Sequence, residues 1–282
     1  MDQFIIAMLN TLSQGASAGT TDDLLLNPAA YNATLYQAAV DLHQAAVVPI
    51  TALVLAIIAV LELGSNAARM DSGDGQMGVR QITVTLIKVA ILLTITSQAT
   101  LLLGGIDEVV TRIANSANGL NVGAGTPTTP LGDQLTDQVE SLGITDQLTV
   151  LIILLIPWLA VAIISGVVIA MIFVRFLQLY LMTTFASLPM AFWGHQETKS
   201  IGTNYVRAYA AIALHGAVLI IAIKLYQASI GARLTQGITV APDTDVFALV
   251  TDNIGQFFLG PLILGLLLFG SVKVSRAVVG EA

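Results

Sequence analysis

The chain has 282 residues, of which 55% are hydrophobic and 10% charged, with a net charge of −7 and a mean hydropathy of +0.82. These values belong to polytopic membrane proteins rather than soluble globules, and the acidic balance excludes a nucleic-acid surface, which needs clustered Lys and Arg. Cys is absent, which removes disulfides, thiolate metal sites and a thiol nucleophile from consideration.

The first residues, MDQFIIAMLNTLSQ, carry Asp2 where a secretory signal would carry Lys or Arg, and the apolar run is short, so the segment reads as retained in the mature protein. From Pro28 to Leu42, Tyr31, Leu35, Ala38, Ala39 and Leu42 recur at helical spacing. That pattern fits an interfacial amphipathic helix, and equally an ordinary helix packed on a bundle. Residues 1–41 are thus an amphipathic N-terminal segment, and 42–103 hold two spans, Leu42–Leu63 and Ile82–Leu103, around a glycine-rich connector over 64–80. Pro49 lies in the first third of its span, a position that membrane helices tolerate when neighbours re-satisfy the freed carbonyl.

The polar segment 104–147 has a Gly, Thr and Pro centre and six carboxylates (Asp107, Glu108, Asp133, Asp137, Glu140 and Asp146) against one Arg112. Loops of this length are usually functional or disordered. Residues 148–282 form a C-terminal membrane bundle. Its first stretch, Thr149 to Gly194, has Arg175 as its only formal charge and exceeds the roughly 20 residues of one span. Leu148–Val174 crosses, Arg175 marks where a charge leaves the hydrocarbon, and Phe176–Trp193, broken by Pro189, either crosses or turns back. A polar segment, 195–207, precedes the span Ala208–Ile230, and a second polar connector, 231–253, precedes the last span, Gln256–Val274.

Positive charge decides between the two topologies. If Phe176–Trp193 turns back, Arg69, Arg80, Arg175, Lys199, Arg207, Lys273 and Arg276 share one side, and only Arg112 and Arg233 face the other. The positive-inside rule therefore favours about five transmembrane helices plus one re-entrant or interfacial helix, with the N-terminus outside and the C-terminus cytoplasmic. The fold class is an all-α integral membrane protein.

No nucleophile elbow, phosphate-cradling glycine loop, HExxH or paired-carboxylate motif occurs, and His43, His195 and His215 lack metal-ligand spacing. No enzyme, metal or cofactor is expected. Glu62 and Lys88 lie near corresponding ends of adjacent spans, where a structural ion pair is favoured over an ion path. His215 reads as an interhelical hydrogen bonder, and Lys224 as a residue that snorkels. Ala162, Gly166 and Ala170 repeat every four residues, as do Ala213 with Ala217 and Ala52 with Ala56. Such spacing lets helix backbones approach, within one chain or between copies. Few polar groups at mid-span suit a scaffold or oligomeric conduit better than a solute pump.

The run from Tyr180 through Thr183, Phe185 and Ser187 to Pro189, followed by Gly194, Glu197, Lys199, Gly202, Asn204, Tyr205, Ala210, His215 and Gly216, resembles the TrbL-type family. This is the polytopic inner-membrane channel component of conjugative type IV secretion systems, in the form found in Gram-positive mobile elements. The resemblance implies a non-enzymatic subunit of the cell membrane that forms a homo-oligomeric ring, a pentamer being the implied form, and supports an extracellular stalk or pilus. It further implies a minor-pilin or stalk subunit facing the acidic loop, and secretion ATPases or a coupling protein facing the contact segment of Pro189, Glu197, Lys199, Asn204, Tyr205 and Arg207. Membrane lipid surrounds such a ring, and transferred DNA touches it transiently if at all. A small-solute secondary transporter or channel is the alternative from a different class.

Overall fold

The computed structural model describes residues 1–14, 21–70, 75–120, 130–237 and 244–280, and among them regular structure is helical throughout. The first elements are set off by polar caps. After α1 (Asp2–Gln14) and the single turn α2 (Thr21–Leu24), Asn27 accepts from the Ala30 N–H at 2.8 Å and starts α3 (Pro28–Tyr31), with Pro28 in its first turn. Asn32 accepts from the Leu35 N–H at 3.0 Å and starts α4 (Ala33–Leu42). A π-helical turn, His43–Val47, carries α4 directly into α5 (Val48–Met70). The widened turn lies just ahead of Pro49, whose ring and missing N–H would disturb a regular i→i−4 ladder. The segment expected to be amphipathic is thereby the lead-in to the first candidate span, Ala33–Ser65.

Next come α6 (Gly75–Ser97) and α7 (Ala99–Gly119), which meet at Gln98 with a bend of 63°. The segment expected to be a loop from residue 104 therefore begins as helix. Gly104 and Gly105 are both helical, with open space where a Cβ would sit among the described residues. The Gly, Thr and Pro centre over 121–129 lies outside the described residues. Two short turns follow, α8 (Leu131–Gln134) and α9 (Thr136–Glu140).

α10 (Ile144–Thr184) is one unbroken helix of 41 residues. At 1.5 Å per residue it is about 60 Å long, about twice the hydrocarbon thickness. The expected division at Arg175 is thus corrected. No helix breaker follows until Pro189, and the Arg175 charge is met inside the protein rather than by solvent. The chain then turns through α11 (Ser187–Ala191) and the 3₁₀ turn Phe192–Gly194 into α12 (Lys199–Gly237), α13 (Val246–Asp252) and α14 (Ile254–Val279). Among the described residues four helices are long and apolar enough to cross a membrane, or five if the bent α6–α7 pair is one span. The chain is an all-α, multi-pass membrane protein.

Two compact units divide the chain. The first holds Met1–Leu25, Ile113–Val174 and His215–Val274. Its core gathers Ile5, Met8 and Leu9 of α1 with Leu131 and Leu135 of the α8 turn and Val150 and Leu154 of α10. α1 approaches α8 closely. A Cβ on Gly132 would lie 2.2 Å from the Ile6 carbonyl oxygen. The Asn10 amide locks the contact, donating to Asp133 Oδ1 at 2.9 Å and accepting from the Asp133 N–H at 3.2 Å. The second unit holds Leu26–Arg112, Arg175–Leu214 and Ser275–Ala282. Here α11 packs on α5 and α6. Thr51 and Ser187 share a buried hydrogen bond of 2.9 Å, and a Cβ on Gly194 would lie within 2.7 Å of Ile58 and Leu92.

The outward faces are apolar. Leu53 and Val60 on α5, Leu86 and Ile91 on α6, Ile156 and Ile163 on α10, and Leu262 and Phe269 on α14 are all more than half exposed. Apolar rows of this extent are covered by lipid or by protein partners, not water.

Candidate functional site

The most unusual chemistry lies inside the second unit, where α7, α10 and α12 bring Asp107, Arg175 and Tyr209 together. Each is buried, with Arg175 only 4% exposed and Tyr209 fully enclosed. The Tyr209 hydroxyl donates to Asp107 Oδ2 at 2.7 Å. Arg175 does not pair directly with the carboxylate. Its Nε donates to the Ile212 carbonyl at 3.3 Å and its Nη2 to the Ala213 carbonyl at 3.2 Å, while Nη1 is buried without a hydrogen-bond partner. Asp107 and Tyr209 are near enough for Coulombic interaction with the guanidinium.

Arg suits this position because its planar fork can satisfy two carbonyls on one helix turn while its charge balances a nearby acid. An ionised group in a membrane helix needs such an internal partner, because hydrocarbon solvates neither sign. The aliphatic and aromatic surroundings reinforce the placement. The guanidinium lies 4.8 Å from the Phe176 ring centroid, and Phe176 stacks on Tyr31 at 3.8 Å with an interplanar angle of 10°. The Tyr180 hydroxyl, one turn further on, donates to the Pro28 carbonyl at 2.8 Å.

Sequence reasoning placed Asp107 in an acidic loop and Arg175 at a membrane boundary. The signal for Asp107 was present: Leu103, Asp107, Val110 and Ala114 recur at helical spacing and are all buried. The carboxylate-rich composition of 104–147 masked it.

A second ionic cluster joins α5, α6 and the turn before α12. Lys88 Nζ lies 2.6 Å from Glu62 Oε1, and His195 Nδ1 lies 3.0 Å from Glu62 Oε2. The structure thus brings Glu62 and Lys88 together and adds His195, which sequence spacing had left unassigned. Most of α11 is enclosed: Ser187, Met190 and Ala191 are buried, Pro189 is half-buried and Phe185 is exposed. Glu197 sits in the following turn, while Lys199, Asn204 and Arg207 lie on the first turns of α12, and all four are exposed. Tyr205 turns inward, its hydroxyl donating to the Met182 carbonyl.

Ala162, Gly166 and Ala170 share an exposed stripe on α10, with nothing within 4 Å of a Cβ built on Gly166. Among the described residues no atom of the same chain lies against the stripe at Gly166. His215 bonds Ser271 across α12 and α14 at 2.9 Å. Among the described residues, no three His, Asp or Glu side chains are placed to hold a metal ion.

No curated protein and no solved structure matches the chain. The family described as TrbL/VirB6 plasmid conjugal transfer like protein matches residues 16–187. This match takes in α2 to α10 and the start of α11, including the Tyr180–Ser187 part of the resembling motif and both Asp107 and Arg175. The positions from Pro189 to Gly216 that carried the rest of the resemblance lie beyond it. With more than half of its length matched, the chain belongs to the TrbL/VirB6 plasmid conjugal transfer-like family.

Proposed function

We propose that the protein is a non-enzymatic channel or scaffold subunit of a conjugative type IV secretion system, assembled as a homo-oligomeric ring in the cell membrane. The family match over 16–187 carries this reading. It is supported by the small-residue stripe on α10, which lets a second helix approach closely and is open at Gly166 among the described residues. The N-terminus lies outside and the C-terminus in the cytoplasm. The exposed carboxylates of 104–147, Glu108, Asp133, Asp137, Glu140 and Asp146, face a minor-pilin or stalk subunit, and the exposed Glu197, Lys199, Asn204 and Arg207, with Tyr205 and Pro189 behind them, face secretion ATPases or a coupling protein. Lipid covers the apolar faces, and transferred DNA makes at most passing contact.

The contact role is tested by exchanging Glu197 and Lys199, which preserves net charge and leaves the buried core untouched. The exchange should abolish conjugal transfer and crosslinking to the cytoplasmic ATPase while membrane level stays constant. Wild-type transfer would reduce the segment to a topological anchor. A small-solute transporter or channel is the second reading, favoured by the buried Asp107, Arg175 and Tyr209 cluster, since mid-span polar groups also build solute sites. Gene deletion that leaves conjugation intact would select it.

A further inference from the structure

We propose that Gln98 is a hinge on which α7 moves relative to α6, and that the Tyr209–Asp107 hydrogen bond is the catch that holds the bent state. The bend of 63° contains neither proline nor glycine at its centre. It follows instead a run of hydroxyls bonded back to the helix. Thr94 Oγ1 donates to the Ala90 carbonyl at 3.0 Å, Thr96 Oγ1 to the Leu92 and Leu93 carbonyls at 2.9 and 3.0 Å, and Ser97 Oγ to the Thr94 carbonyl at 2.9 Å. Such back-bonding draws carbonyls off the helix axis and bends it. Two backbone bonds of Gln98 are nevertheless kept at the bend. The Gln98 N–H donates to the Thr94 carbonyl and the Leu102 N–H to the Gln98 carbonyl, both at 3.1 Å. A straighter helix keeps those two bonds, so Gln98 joins the two helices at a break in the ladder without holding them at one angle.

The catch sits about two and a half turns beyond the hinge on the buried face of α7. The opposite face is exposed at Leu101 and Val109. Asp107 is attached through the Tyr209 hydroxyl, whereas Arg175 is anchored on the Ile212 and Ala213 carbonyls. That division of bonds makes release feasible. A guanidinium locked onto Asp107 would lose its hydrogen bonds when α7 left, but one bonded to α12 carbonyls keeps them and gives up only the Coulombic attraction. Asp107, Arg175, Tyr209 and Tyr36 are the ionisable groups that meet at the catch. The inference concerns motion within one chain and stands apart from any role in conjugation.

Because the chain has no Cys, spin labels can be placed at Leu86→Cys on α6 and Val109→Cys on α7, both exposed. From the helix rise, the backbone positions lie about 29 Å apart when bent and about 34 Å apart when straight. Pulsed electron resonance on the detergent-solubilised full chain should give one population near the shorter distance. Tyr209→Phe, which removes only the hydroxyl, should add a population about 5 Å longer. Thr94→Ala with Ser97→Ala, two exposed hydroxyls remote from the catch, should shift the distance the same way. A shift in the Thr94 and Ser97 variant alone overturns the catch. An unchanged single distance in both variants overturns the hinge as well.

Discussion

A guanidinium enclosed among membrane helices is the residue-scale feature with the largest energetic consequence. Breaking a direct buried ion pair costs about 3–5 kcal/mol, which is an upper bound here because Arg175 and Asp107 interact without a direct bond. Arg175→Leu should therefore destabilise strongly, since Asp107 keeps its burial and loses the nearby cation. Adding Asp107→Asn should recover part of the loss, because the stranded charge is gone and the amide oxygen still accepts from Tyr209. Reversible unfolding in detergent reads the coupling as a double-mutant cycle. Independent, additive losses would show that the two charges do not sense each other.

At the scale of elements, two glycines in different surroundings give opposite expectations. Gly132 is where α8 meets α1, and a methyl group there collides with the Ile6 backbone at 2.2 Å, an atom that cannot rotate away. Gly132→Ala should lower stability by about 1–3 kcal/mol, the usual range for overpacking, measured as a lowered thermal midpoint. Gly166 has no such neighbour. Gly166→Leu should leave the midpoint unchanged and instead reduce the size of the purified particle, because the bulk appears only where another copy approaches. A particle of unchanged mass that still supports transfer would show that this face of α10 meets lipid.

The whole molecule is governed by where its charges sit relative to the bilayer. Arg175 is enclosed and no longer counts as a charge at the membrane surface, which leaves Arg69, Arg80, Lys199, Arg207, Lys273 and Arg276 against Arg112 and Arg233. The bias keeps its direction, so the expected orientation keeps its basis. Cysteines introduced at Thr128 and Ser200 test it. Thr128 lies outside the described residues, and Ser200 is exposed on the first turn of α12. An impermeant thiol reagent applied to intact cells should label position 128 and spare position 200. Labelling at both would place the start of α12 outside.

The sequence by itself determined the helical membrane class, the approximate position of each span and the family. All three depend on local quantities: apolar run length, scarcity of charge and a motif read along the chain. Hydrocarbon requires every backbone group to bond within its own segment, so apolar length alone specifies a helix. The tertiary structure decided what those helices do to the few polar residues they carry. A window of sequence shows Arg175 as a boundary and Asp107 as part of a loop, because the benefit of burying either lies in carbonyls and a hydroxyl more than 30 residues away. The same limit hid the His195 contact with Glu62 and the hold of Tyr209 on Asp107. Each depends on partners brought close only by folding, and charge compensation across helices leaves no periodic trace in the chain that contributes it.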